Sequence, residues 1–235
     1  AGSATGPDQS AQCSNRGTLG TESSLASAMM YVSITASLFS ELQPLLLSGD
    51  QVVVVVSGAN ITTTTPAYVQ ARAQLAAIPA GFQRLMMVQT HTAIDSIGAH
   101  ASPVVDKFSY NLEGGLSPAD ELADEQASAT TFAGKCAAIG KLGVFGPIRA
   151  RLDNGNPAGS GSTAWLYDKP AGTRQKLLTL VQAPCDIAYQ GQLLNTSTSG
   201  GMNLTQQETI DRFKLAHDAL HADRSDVVVV FQQWP

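Results

Sequence analysis

Polar side chains that can donate protons or hydrogen bonds stand at the ends of several short apolar runs. They are Gln89 and His91, then Ser109, Asn111 and Glu113, then Arg149, then Tyr189, Gln190 and Gln192, and finally Trp234. Where such runs form neighbouring parallel strands, the residues at their carboxyl ends face a shared ligand crevice. The sequence therefore predicts one polar site assembled from separate strand ends.

The segment from Asp106 to Glu113 pairs chemical groups most clearly. Residues two apart in a strand lie on one face, so Ser109, Asn111 and Glu113 are predicted to share a side. A carboxylic acid two residues beyond an amide can donate a proton next to a group that orients the ligand. The alternative is that Glu113 simply ends the strand in solvent ahead of Gly114.

This segment resembles the D-x-x-D-x-D-x-E strand of family 18 glycoside hydrolases, the chitinase-type barrels. Asp106 and Glu113 match the first and last motif positions, whereas Ser109 and Asn111 stand where the motif has its second and third Asp. The motif falls on the fourth predicted strand, as it does in that family. A Tyr189-Gln190 pair lies on the sixth, where the family places polar aromatic contacts.

The resemblance implies a secreted barrel that hydrolyses or binds N-acetylglucosamine-containing glycans. Glu113 would be the general acid, Asn111 would hold the N-acetyl group of the substrate, and Tyr189 would complete the catalytic set. The other polar residues at predicted strand ends are expected to contact the ligand, so the predicted substrate-binding residues are Ser109, Gln89, His91, Gln190, Gln192, Arg149 and Trp234. An amide at 111 cannot supply the negative charge of the family's Asp, a loss of about 10²-fold or more in rate. The alternative is therefore a non-catalytic lectin, enzyme inhibitor or storage protein.

The predicted elements that carry these site residues are strands that alternate with helices along the chain. Seven strands are predicted, at 29–35, 51–56, 84–90, 104–112, 142–148, 185–192 and 227–232. Runs such as VVVVV suit strands with both faces buried, as in a parallel sheet covered by helices. The prediction is an α/β chain folded as a TIM-type (β/α)8 barrel, with one strand missing or unrecognised. The open doubly wound alternative lacks a G-x-G-x-x-G or P-loop motif.

Helical periodicity is predicted over 36–47, 66–78 and 205–221, and a further long helix opens at Ser117. Ser117 is expected to cap this helix. The acidic residues that follow, Asp120, Glu121, Asp124 and Glu125, are interpreted as a solvated first turn. The whole of 1–235 is treated as a single barrel domain in which 1–27 is an irregular N-terminal segment.

The amino-acid composition limits the classes of partner that the chain is predicted to bind. The chain has 14 basic and 19 acidic residues, a net charge of -5 and only 14% charged residues. Without a Lys/Arg cluster, neither nucleic acid nor an anionic membrane is predicted as a partner. Three Asn-x-Ser/Thr triplets, at Asn60, Asn195 and Asn203, favour a secreted glycoprotein. Three cysteines without C-x-x-C spacing predict no metal site, and no cofactor or oligomeric state is indicated.

Overall fold

Parallel strands in sequence order form the framework of the protein. The structure, a computed structural model, describes residues 31–112, 115–146, 186–190, 205, 207 and 228–232. Its strands are β1 (Tyr31–Thr35), β2 (Gln51–Val56), β3 (Gln83–Val88), β4 (Lys107–Tyr110), β5 (Leu142–Phe145), β6 (Asp186–Gln190) and β7 (Val228–Gln232). All seven lie where apolar runs predicted strands.

Each strand is hydrogen-bonded in parallel to the next one along the chain. In addition, β1 pairs with β7, with Tyr31 opposite Val230. The seven described strands therefore form a closed ring of pairings. The described residues contain no eighth strand.

Helices follow most of the described strands. They are α1 (Phe39–Leu42), α2 (Pro66–Ala76), α3 (Thr92–Ala101), α4 (Ala119–Ala123) and α5 (Glu125–Ala138), with 3-10 turns at Ala36–Leu38 and Gln43–Leu45. Parallel neighbours require such crossover connections because a tight turn cannot return the chain to the same end of the sheet. The predicted α/β class, with helices alternating with parallel strands, is confirmed. No helix among the described residues is long and apolar enough to cross a bilayer.

Both faces of the sheet are buried, which explains the all-valine run of β2. On the inner face Val53, Leu85, Met87 and Val144 pack together. The alternate residues pack outward against the helices in a larger cluster that includes Val54, Met86, Phe108, Tyr110 and Phe145, with Leu75 of α2 and Phe132 of α5. A strand flanked by apolar layers on both sides has no solvent face, so polar residues are confined largely to its ends.

A close approach between α5 and β5 depends on Gly143. A Cβ atom at this position would lie 3.0 Å from Phe132 Cε1 and 3.6 Å from the Ala133 Cα. The absent side chain thus lets α5 lie directly on the sheet. Phe132 then stacks on Tyr110, with ring centroids 5.0 Å apart.

Several helix predictions were incomplete or wrong. The segment 36–47 forms only short 3-10 and α turns, and Pro44 lies within the last of them, at its amino end. Ser117 does not cap a helix: the long helix begins after Asp124, whose side chain accepts a hydrogen bond from the backbone N–H of Ala127. Helix α3 was missed. The predicted helix 205–221 lies outside the described residues apart from 205 and 207.

At the amino ends of β3 and β4, Arg84 and Asp106 form an ion pair and donate hydrogen bonds to each other. The backbone N–H, Nε and Nη2 of Arg84 donate to the Asp106 carboxylate at 2.8, 3.0 and 2.9 Å. The Asp106 backbone N–H donates in return to the Arg84 carbonyl oxygen at 2.8 Å. Burial alone would raise the pKa of Asp106, but the hydrogen bonds and charge of Arg84 hold that pKa below its usual range. Asp106, one of the two kept motif residues, therefore has a structural task in this chain.

We expect Asp106→Asn to lower the free energy of unfolding by about 1–2 kcal/mol at neutral pH. A charge-assisted hydrogen bond is worth more than this when buried, but the pair is partly exposed and screened by solvent. Because the folded-state pKa is lowered, the contribution of Asp106 is present above about pH 4 and is lost as the pH falls through the folded-state value. Urea unfolding of both proteins across this range measures the difference. A gap that stays constant into acid would contradict the assignment.

Candidate functional site

Three of the predicted site residues lie together at the carboxyl ends of β3 and β4. Ser109 pairs in register with Met87 and Val144, both inner-face residues. Two residues further along the chain, Asn111 stands beside Gln89, since Val88 and Tyr110 are the last paired positions. The predicted common face of Ser109 and Asn111 follows directly from this register.

Gln89 and Asn111 are both buried and are held by backbone contacts. The Gln89 Oε1 atom accepts a hydrogen bond of 3.3 Å from the Gly58 N–H. The Asn111 N–H donates to the Val88 carbonyl oxygen at 2.9 Å. Its own carbonyl oxygen accepts from the Ser117 hydroxyl at 3.1 Å. The Gln89 side chain and the Asn111 backbone are thus held at neighbouring positions at the carboxyl end of the sheet.

Ser109 lies deeper on the same face. Its side chain is 1% exposed, and its hydroxyl makes no hydrogen bond with protein atoms. A buried hydroxyl without a partner costs about 1–3 kcal/mol, so such groups usually meet water or a ligand. Ser109 therefore offers a donor and an acceptor below the two amides.

On the opposite side of the ring, β6 and β7 bring two further polar residues into register. Gln190 stands opposite Gln232, and Tyr189 stands opposite Phe231. Gln232 also pairs with Ser33 of β1. The predicted residues Glu113, Arg149, Gln192 and Trp234 lie outside the described residues.

His91 belongs to a different group of polar residues, between β3, β4 and the helices. Its ring Nε2 lies 3.6 Å from Oε1 of Glu121, and its backbone N–H donates to Oε2 at 3.2 Å. The same carboxylate accepts hydrogen bonds from the Thr90 and Tyr110 hydroxyls. Glu121 is only 3% exposed, so its interpretation as a solvated helix start was wrong.

Charged groups connect this buried carboxylate to the surface. The Lys135 ammonium lies 3.3 Å from His91 Nδ1 and forms an ion pair with Asp95, whose side chain is largely exposed. An ammonium has only donors, so Nδ1 must accept. The proton of a neutral His91 ring is therefore on Nε2, facing Glu121.

Tyr110 packs against aromatic residues on one side of this group and donates to Glu121. Its ring stacks on Phe132 and lies 6.1 Å from the ring of Phe145. Burial, and then the hydrogen bond and negative charge of Glu121, raise the pKa of Tyr110 far above its usual range. The phenol stays protonated at all ordinary pH values and always donates to Glu121.

One sequence signal could have revealed Glu121. Thr90 and Tyr110 stand on the helix-facing side of two strand ends, where neighbouring residues are apolar. Two hydroxyls in such a layer need an acceptor. Which of the four acidic residues between 120 and 125 supplies it depends on the break at Asp124, and the break is visible only in the structure.

Neither a scan against protein-family models nor a search of curated proteins finds a match to this chain. Within the described residues, no group of three His, Cys, Asp or Glu side chains is arranged to hold a metal ion.

We expect Tyr110→Phe to lower the free energy of unfolding by about 1.5–3 kcal/mol, because Glu121 loses a hydrogen bond to its buried charge. Tyr68→Phe is the matched control. Tyr68 is equally buried, but its hydroxyl contacts Nδ1 of the exposed His100 at 2.7 Å. About 0.5–1.5 kcal/mol is expected there. Chemical denaturation compares the two, and equal losses would argue against a special role for Glu121.

The neutral His91 ring is expected to carry its proton on Nε2, because Nδ1 faces the Lys135 ammonium. Nitrogen chemical shifts of the labelled ring distinguish the two tautomers. Lys135→Met should release Nδ1 and give a mixture of tautomers. A dominant Nδ1–H form in the unsubstituted protein would contradict the Lys135 contact.

Proposed function

We propose that this chain is a secreted, chitinase-like barrel of the TIM type that takes N-acetylglucosamine-containing glycans at the carboxyl ends of its strands. The closed ring of seven parallel strands supports the barrel. The observation that carries the function is the placement of Ser109 and Asn111 on the inner face of the fourth strand, beside Gln89. The motif strand thus offers its polar residues at the end of the sheet where barrel enzymes bind their substrates.

In this proposal Glu113, two residues beyond Asn111, donates its proton to the glycosidic oxygen as the bond to the anomeric carbon breaks. The carbonyl oxygen of the substrate's own N-acetyl group attacks that carbon, and water later opens the resulting ring. This is the substrate-assisted route, which differs from the scheme with two carboxylates. Asn111 orients the acetamido group by hydrogen bonding.

The remaining proposed contacts come from other strand ends. Tyr189 joins the catalytic residues, and Gln190, Gln192, Arg149 and Trp234 contact the sugar along with Gln89 and Ser109. Both ring nitrogens of His91 already face Glu121 and Lys135. His91 is therefore left out of the proposed sugar contacts.

A second candidate, glycan binding without hydrolysis, is favoured by the chemistry at position 111. An amide is neutral and cannot stabilise the positive charge that develops on the N-acetyl group during the reaction. Ser109 likewise brings no charge. A lectin, enzyme inhibitor or storage protein would need the same shape and hydrogen bonds but not that charge.

The extracellular location rests on the low charge content and on the three glycosylation triplets. Asn60 is exposed, as an acceptor of a glycan must be. Asn195 and Asn203 lie outside the described residues.

The test is hydrolysis of a chromogenic chito-oligosaccharide by the unsubstituted protein, Glu113→Gln and Asn111→Asp. If the enzyme proposal is right, Glu113→Gln abolishes turnover. Asn111→Asp raises it by about 10²-fold or more, because it restores the missing charge. Glu41→Gln, at an exposed site in α1, is the matched control and should leave turnover unchanged.

Retention of the unsubstituted protein on chitin without turnover would support the binding candidate. Turnover that survives Glu113→Gln would overturn the assignment of the general acid. If the unsubstituted protein shows no turnover and is not retained on chitin, the glycan proposal as a whole is overturned.

A further inference from the structure

The carboxylate of Glu121 joins three separate segments behind the proposed glycan site. Thr90 and His91 lie just beyond β3, Tyr110 is the last residue of β4, and Glu121 itself lies in α4. All three segments meet at one buried side chain. A carboxylate suits this place, because it accepts three hydrogen bonds here, from the Thr90 and Tyr110 hydroxyls and the His91 backbone N–H, and His91 Nε2 lies 3.6 Å away.

Two of these contacts are next to the site amides in sequence. Thr90 follows Gln89, and Tyr110 precedes Asn111. Because neighbouring residues in a strand face opposite ways, Glu121 holds each strand end from the helix side. Gln89 and Asn111 stand on the inner side of the same two strand ends. A shift of the Thr90 or Tyr110 backbone would therefore move an amide on the other face.

Serine hydroxyls donate hydrogen bonds to the backbone carbonyl oxygens of both Asn111 and Glu121. The Ser117 hydroxyl donates to the Asn111 carbonyl oxygen. The Ser128 hydroxyl in α5 donates to the Glu121 carbonyl oxygen at 2.9 Å. Helix α4 has only five residues and is separated from α5 at Asp124, and the Ser128 bond ties it to α5 across this break.

The surroundings of the Glu121 side chain favour two acceptor oxygens. Oε1 accepts from the Thr90 hydroxyl and faces His91 Nε2, while Oε2 accepts from the His91 backbone N–H and the Tyr110 hydroxyl. A glutamine would place an NH₂ group against two donors. The position thus distinguishes a carboxylate from an amide of nearly identical shape.

We propose that Glu121 is a positioning residue for the glycan site, which acts through Thr90 and Tyr110 to fix Gln89 and Asn111 side by side. The positioning itself is independent of what binds. Its consequence for glycan affinity rests on the function proposed above.

The experiment compares Glu121→Gln with Asp120→Asn, its exposed neighbour in α4. Amide hydrogen exchange is followed at Gln89 and Asn111, with Val53 of β2 as an internal reference. Glu121→Gln should raise exchange at the two strand ends by roughly 10- to 100-fold relative to Val53, the effect of one lost hydrogen bond to a charge. Asp120→Asn should leave exchange unchanged.

Exchange that rises equally at Val53, or at none of the three sites, would overturn the proposal, since Glu121 would then be a general stabiliser or dispensable. If Glu121→Gln does not fold, Thr90→Val removes one donor to Glu121, together with the hydroxyl's contacts to Thr92, at little change in shape, and gives the same comparison. A local effect with Thr90→Val supports the proposal, and a uniform one overturns it.

Binding of a chito-oligosaccharide is measured on the same proteins. Affinity that falls with Glu121→Gln but not with Asp120→Asn supports the positioning of the glycan site. Equal affinity despite a local rise in exchange overturns that consequence. Should the unsubstituted protein bind no chito-oligosaccharide, the glycan proposal fails, while the exchange data alone still decide whether Glu121 fixes the strand ends.

Discussion

Burial of both faces of a parallel sheet is the constraint on which the rest of this structure depends. Parallel strands need covering helices, and among the described residues the inner-face side chains of β2, β3 and β5 pack together just as the helix-facing ones do. Polar groups are expelled to the strand ends, where the backbone leaves the sheet. Gln89 and Asn111 are therefore neighbours not because of a local motif but because two strands end together.

Burial of the helix-facing layer also explains why Glu121 needs so many hydrogen-bond donors around it. A charge can be kept in the helix-facing layer only if donors surround it, and the chain supplies two hydroxyls, a backbone N–H and an imidazole. The connection to Asp95 through Lys135 brings balancing charge to the surface without burying an ammonium. Inner-face amides and the helix-facing carboxylate thus act on the same strand ends from opposite sides.

Asp106 and Glu113 match the first and last positions of the family 18 motif, and Asp106 is the one that the structure describes. Asp106 is bound to Arg84 at the amino end of β4, far from the carboxyl end where a substrate would lie. Such a residue can be retained for stability alone. The proposed glycan function therefore depends on the residues from Ser109 onward, where Ser109 and Asn111 are neutral at positions that are acidic in the motif.

The sequence by itself determined the α/β class, the positions of all seven strands and the face shared by Ser109 and Asn111. Periodicity and apolar runs are local properties, and both survive in the structure because two-sided burial selects for them. Helix α3 also had a signal, since Ala93, Ile94, Ile97 and Ala101 recur on one face, although it was missed.

Only the tertiary structure decided the rest. Ring closure depends on pairing between the first and last strands, which no local pattern encodes. The burial of Glu121 depends on a helix break at Asp124 and on hydroxyls 31 and 11 residues away along the chain. An acidic run looks the same in sequence whether its side chains meet water or buried donors, because the difference lies in what the rest of the fold places against them.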